Sequence, residues 1–248
     1  MLDFFNEEGV FSPSHLFEPD PSFPKTMILT WQSDFEKELK RRFAVQTFPK
    51  KFCVGGTYVT VYIFEFQKKQ LGFAVIPASA PIVSMLMEEM SVAGAEKFVF
   101  IGSCGYLLGD KTDTLIVPDR ALRDEGTSYH YIESDSDMIE VQTASYTEQF
   151  LRKIKVPYRT GATWTTDAVY RETPSAIKAA KEKGCICVEM ECSGIMACAM
   201  AKGLKAYQIL FTADKFSSEG WKKGRLKYMS SDSYGTYFEI VAELAAEV

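Results

Sequence analysis

The sequence predicts an α/β fold: one large domain, residues 25–248, behind a short N-terminal arm, residues 1–24. Three observations carry that expectation. From about residue 70 onward, strand-like apolar runs alternate with helix-like segments, the pattern that builds a mostly parallel sheet with helices on both faces. A chain of 248 residues, 46% hydrophobic and 25% charged, has the apolar surface for one large core. No internal repeat, linker or low-complexity tract divides it.

The arm, rich in Phe, Pro, Asp and Ser without a period, frays or lies across another surface. KTMILTW then reads as a short buried strand, and SDFEKELKRRF as a helix with Ser33 as cap and Glu36 three residues on, a capping box. TYVTVYIFEF alternates as one strand with a wet face, and KKQLG returns the chain to the apolar strand GFAVIP. APIVSMLMEEMSVAG has a proline in its first turn and helical apolar spacing, and KFVFIGSCG is a buried strand ending in glycines. TLIVPD and ALRDEGTSYHY are extended chain, SYTEQFLRKI is a helix, and RTGATWTTD is a strand running into a loop. TPSAIKAAKEKG is a helix with Thr173 as cap, Pro174 in first position and Gly184 just past its end. ICVEM is a strand, ECSGIMACAMAKG a buried helix, KAYQILFTAD a strand and SSDSYGTYFEIVAELAAEV the closing helix.

A net charge of -5 argues against nucleic acid as partner, because phosphate neutralisation needs clustered Lys and Arg. The basic runs at 37–42 and 222–227 read as solvated surface. MLDFFNEEGV carries acids where a secretory leader needs a basic start, so the six cysteines are expected reduced and the protein cytoplasmic. Cys185, Cys187 and Cys192 lack the paired spacing of zinc frameworks, and only His15 and His130 are present, so no metal is expected. No apolar run approaches the roughly 20 residues of a membrane span.

Ligands of parallel α/β sheets bind outside the carboxyl ends of the strands, and four polar clusters fall at such ends. In FIGSCG, Gly102, Ser103 and Gly105 suit either an anion cradle or a tight turn. In WTTDAVYRET, Val169 and Tyr170 offer a wall for a flat ring, while Asp167 reads as a turn cap. In CVEMECSG, Glu189 and Glu191 flank Met190 before a helix. One glutamate suffices as a cap, and a second carboxylate suits a sugar's vicinal hydroxyls, with the thioether packed on the ring. In FTADK, Asp214 is either a cap or, if shielded from water, an acid able to donate a proton near neutral pH.

FIGSCG, TTDAVY, VEMECSGIMACAMAKGLKA and FTAD, in this order, resemble the nucleoside phosphorylase family, which includes bacterial hexameric purine nucleoside phosphorylases, uridine phosphorylases and methylthioadenosine nucleosidases. The resemblance spans residues 25–216 and is most specific in VEME. It implies a mixed, barrel-like central sheet surrounded by helices, and a homo-oligomer, a dimer or a hexamer of dimers, whose sites each borrow a neighbour's residue. By matching position, Gly102 and Ser103 contact phosphate or the attacking oxygen, and Met190 with Glu191 holds the ribose. Val169, Tyr170 and Val188 wall the base, Asp214 protonates N7 of a purine, and Arg225 positions that acid. His15 is the residue lent across a dimer to the ribose 5′-hydroxyl.

The implied activity is phosphorolysis of a ribonucleoside to free base and ribose 1-phosphate, with phosphate as co-substrate and no cofactor. Two departures bear on the phosphate. Phe100 stands where the phosphorylases carry a phosphate-gripping arginine, and LTWQSDFEKEL lacks their glycine-rich turn and second arginine. Lys50 and Lys51 are the substitutes on offer. Hydrolysis by water and nucleoside binding without catalysis are the alternatives, and Asp34, in a helix's first turn, is the nearest match to the nucleosidases' catalytic carboxylate. Asp214 favours a purine, whereas RDEGTSYHY resembles the RxDG segment of uridine phosphorylases. Residues 123–130 either line the site or satisfy one another in the interior, the latter being the expectation.

Overall fold

A computed structural model describes residues 7, 9–109, 114–217, 220–222 and 230–248. In chain order the elements are β1 (Thr26–Thr30), α1 (Ser33–Arg42), β2 (Val45–Thr47), β3 (Phe52–Val54), β4 (Thr57–Val59), β5 (Tyr62–Phe66) and β6 (Lys69–Val75). Then come α2 (Ala80–Ala93), β7 (Lys97–Tyr106), β8 (Leu115–Asp124), β9 (Met138–Glu140), α3 (Ala144–Lys153) and β10 (Tyr158–Thr166). The chain finishes with α4 (Pro174–Glu182), β11 (Cys185–Glu189), α5 (Cys192–Lys202), β12 (Lys205–Ser217), β13 (Gly220–Lys222) and α6 (Ser231–Glu247).

One sheet of 11 strands runs β13-β12-β8-β10-β11-β7-β1-β6-β5-β2, with β9 on β8. It is mixed rather than mostly parallel. β7 pairs with β11 and also with β12, which pairs with β8, so β7, β12, β8, β10 and β11 close into a ring. That ring is the barrel-like core, and β1 extends the sheet outward from β7 with all five of its residues buried. A strand hydrogen-bonded on both edges and covered on both faces reads as a continuous apolar run, as MIL does in β1.

Two helices position the cavity described below. α5 buries every residue from Cys192 to Ala199 because it lies between α2 and the sheet. Gly194 permits the contact: a Cβ there would stand 2.7 Å from Cβ of Ala80, and Ser84 Oγ donates to the Gly194 carbonyl at 3.2 Å. α4 is capped as its sequence predicts, with Thr173 Oγ1 accepting from the Ala176 amide at 3.3 Å and Gly184 in the left-handed region at φ 86°.

Three local expectations change. Ser33 is the first residue of α1, not its cap; Gln32 holds the cap position without a side-chain cap bond, its amide being committed to Ser103 and Thr30. TYVTVYIFEF is two strands, because β4 pairs with β3 in a separate hairpin while β5 pairs with β6 and β2. FIGSCG is not a turn: β7 runs through it, since Gly105 and Tyr106 still pair with β11. Among the described residues no helix is long and apolar enough to cross a membrane.

Candidate active site

A cavity of about 590 Å³ opens where these strands end. Ser103 and Gly105 reach it from β7, and Val188 and Glu189 from β11. Met190 and Glu191 bridge into α5, and Asp214 and Phe216 project from β12. Trp31, Val169, Tyr170, Glu172 and Trp221 also line it.

The two glutamates divide the work that the motif left open. Glu189 is the cap. Its Oε2 accepts from the amides of Glu191 at 2.8 Å and Cys192 at 2.6 Å, and its Oε1 from the hydroxyls of Thr165 at 2.6 Å and Thr163 at 3.3 Å. These donors close the N-terminus of α5. Glu191 is equally buried, 2% exposed, yet among the described residues its Oε2 takes only the Met190 amide at 3.2 Å and its Oε1 has no partner. Burial raises its pKa well above the usual carboxyl range, and the neighbouring Glu189 raises it further. A buried polar atom without a partner is costly, and Glu191 is one of the residues that line the cavity.

Asp214 lies inside β12, not at its end, because β12 runs on to pair with β13. A register shift between Thr212 and Asp214 re-aims the strand, as bulges do, and brings Asp214 opposite Gly105. Glu172 stands close enough to feel it: burial first, then the charge of Asp214, raises the Glu172 carboxyl to about 7. Gly105 is required here, since a Cβ would come within 2.9 Å of Val188 Cγ1 and 2.8 Å of Phe216 Cε2.

The anion-cradle expectation fares unevenly. Ser103 lines the cavity, and its hydroxyl accepts from Gln32 Nε2 at 3.0 Å. Gly102 is buried away from the cavity wall, because the Trp31 indole lies where its Cβ would project. Phe100 is fully buried in the main core. Lys50 donates to the Leu16 carbonyl at 2.5 Å, Lys51 sits over Tyr58, and Asp34 pairs with Lys37 at 2.8 Å. Among the described residues lining the cavity there are four carboxyls and no Lys, Arg or His.

Val188, Met190, Val169 and Tyr170 all line the cavity, although Tyr170 is 97% exposed and stands at its rim. His15 is exposed in the arm, its ring 5.7 Å from that of Phe11 and bonded to Ser12. Arg225 lies outside the described residues. Asp167 does not cap its own turn: it takes the distant Gly126 amide at 3.0 Å, and Thr166 Oγ1 accepts from the Ala168 amide at 3.2 Å. The interior expectation for 123–130 holds only in part: Arg123 donates to Ser128 Oγ at 2.9 Å and the Ile132 carbonyl at 3.0 Å, and Glu125 accepts from Ser193 Oγ at 2.9 Å, whereas Asp124 and His130 are exposed.

Sequence reasoning missed Trp31, Glu172, Phe216 and Trp221. Two had a signal. Trp31 directly follows a buried strand, the position that singled out the other clusters. Phe216 is two residues from Asp214 on one strand, hence on the same face.

Fold and cleft together define an α/β protein whose cavity offers acids and aromatic walls. The profile of the Phosphorylase superfamily matches residues 30–235, and the chain belongs to that superfamily. A guanosine phosphorylase of Halorubrum lacusprofundi is 28% identical over 150 residues, 58% of this chain and 60% of that protein. The chain thus spans little more than half the length of the relatives it matches first. Among solved structures, purine nucleoside phosphorylase from Toxoplasma gondii superposes with a TM-score of 0.72 at 16% identity, covering 90% of each chain. A futalosine hydrolase mutant of Helicobacter pylori superposes with a TM-score of 0.68 at 15% identity, covering 91% of this chain and 98% of that one. At these identities the likeness is one of fold.

Proposed function

We propose that this enzyme cleaves the N-glycosidic bond of a purine ribonucleoside, with phosphate as the attacking group, giving free base and ribose 1-phosphate. The observation that carries it is the unpartnered Oε1 of buried Glu191, beside Met190 in the cavity that also holds Asp214. Ribose hydroxyls are the donors this oxygen lacks. As the bond breaks, positive charge grows on the sugar and negative charge on the base. A carboxyl oxygen that accepts from the sugar hydroxyls and an acid at the base therefore act mainly in the transition state. Asp214 is that acid in this reading, directed at N7; Phe216 and Val188 wall the base, and Ser103 meets the attacking oxygen.

The named relative, a guanosine phosphorylase, supports purine and phosphate. In the same reading His15 is lent across a homodimer, Arg225 steadies Asp214, and the protein works in the cytoplasm without a cofactor. Hydrolysis is the second reading, favoured by one observation. Around Ser103 the chain presents neutral Trp31 and Gln32, and a dianion needs charge-assisted bonds.

The test is to incubate the protein with adenosine, inosine, guanosine and uridine, with and without phosphate, and to assay free base and ribose 1-phosphate. Phosphate-dependent release from the purine nucleosides is the expected result. Release indifferent to phosphate replaces the first reading with hydrolysis, and no release from any of them overturns both.

A further inference from the structure

A second cavity, of about 780 Å³, adjoins the first. It shares Glu172, Phe216 and Trp221 with the candidate site, and none of Ser103, Met190, Glu191 or Asp214. It therefore leaves the site from the end away from the ribose-holding residues of the proposed reading, on which this inference rests. Its own walls are Leu107, Pro174 and Ile177, with Lys178, Lys181 and Glu182 of α4 around them. Leu107 is buried in a compact cluster with Trp164 and Val188, and Ile177 and Phe216 pack against that cluster, so the floor is built rather than incidental.

Phe216 and Trp221 are directly opposed in the antiparallel β12–β13 pair, which places both rings on one face. Trp221 is 58% exposed. Two aromatic side chains so presented suit a flat apolar group. Glu172 stands at the junction of the two cavities, where a carboxylate accepts an N–H at the threshold.

We propose that the second cavity is a subsite for a bulky, flat, apolar substituent carried on the base through an exocyclic N–H, at the edge remote from the sugar. The enzyme then takes base-modified nucleosides at least as well as plain ones.

The probe is N6-benzyladenosine, compared with adenosine in turnover and in titration calorimetry. The ratio of their kcat/KM values should be at least one. Ile177→Trp, which fills only the second cavity, should lower that ratio by about tenfold or more while leaving adenosine turnover near the parent value. Lys181→Trp, at an exposed position of the same wall, gives a second filling variant should the first fold poorly. If adenosine is cleaved while N6-benzyladenosine is refused, or if both filling variants leave the ratio unchanged, the subsite is refuted and the proposed function stands. If neither nucleoside is cleaved, the proposed function is judged by its own panel of nucleosides, and the calorimetric affinities decide the subsite alone: tighter binding of the benzyl compound, weakened by the filling variants, supports it, and any other result refutes it.

Discussion

Two buried glutamates, Glu38 at the α1–α6 seam and Glu191 at the cavity, meet opposite surroundings. Glu38 accepts from Arg41 Nη2 at 2.6 Å, Arg42 Nε at 3.0 Å and Ser231 Oγ at 2.6 Å. The Arg41 bond leads the causes that hold its carboxyl at about 2, against the pull of burial. Glu191 has one backbone amide, a second carboxyl as neighbour and an oxygen with no partner among the described residues. Both are acids out of water; one is neutralised by the fold and the other, in the proposed reading, is left for a ribose hydroxyl. A buried charge matched by guanidinium groups ties elements together, whereas an unmatched one lowers stability in the empty protein and is retained for a ligand.

The comparison breaks most visibly on substitution. Glu191→Gln keeps the shape and removes the charge, so turnover should fall about 10²–10³-fold while the melting temperature holds or rises, because a disfavoured buried charge is gone. Steady-state kinetics beside thermal unfolding checks both halves, and a variant that loses stability along with activity would make Glu191 a structural residue like Glu38. Glu38→Gln should do the reverse, costing roughly 1.5–3 kcal/mol of stability with kcat unchanged. Its pH signature follows from a lowered folded pKa. The contribution of Glu38 is full above about 4.5, the unfolded value, and fades as pH falls from there toward about 2. The deficit of the variant in urea unfolding should therefore shrink across that acid window.

How much of this was legible in the sequence depends on how far apart in the chain the deciding residues lie. The strand-to-helix junction at VEMEC stood out because a buried strand and a small-residue helix flank it in one continuous segment. The division of labour between Glu189 and Glu191 did not, since Thr163 and Thr165, which saturate Glu189, arrive from β10, 24 to 26 residues earlier. Likewise the barrel follows from one extra pairing, β7 with β12, between strands separated by nearly half of the domain; the family resemblance implied it, and periodicity did not. Gly102 looked like part of a turn because glycine usually marks one. In the folded chain it makes room for Trp31, a contact between two strand segments that no local pattern announces.

Glu172 lies between the two extremes and gives the smallest effect. It is half-buried at the edge of the cavity, with Asp214 rather than an arginine as its electrostatic neighbour, and its carboxyl is raised from 4.5 to about 7. A raised acid pKa means that the folded state holds its proton longer than the unfolded state. Between about 4.5 and 7 the unfolded chain has already released that proton, so stability declines as pH rises through this window and levels off above it. Glu172→Gln carries no such proton. Its melting temperature should match the parent near pH 4.5 and exceed it by a constant increment above pH 7, a small one because water screens a half-exposed group. Unfolding curves of both proteins at half-unit pH steps read this directly. A gap that opened instead below pH 4.5 would mean that Glu172 is paired like Glu38, and that the cavity's far end is part of the scaffold rather than a place where an incoming base meets an acid able to change its charge.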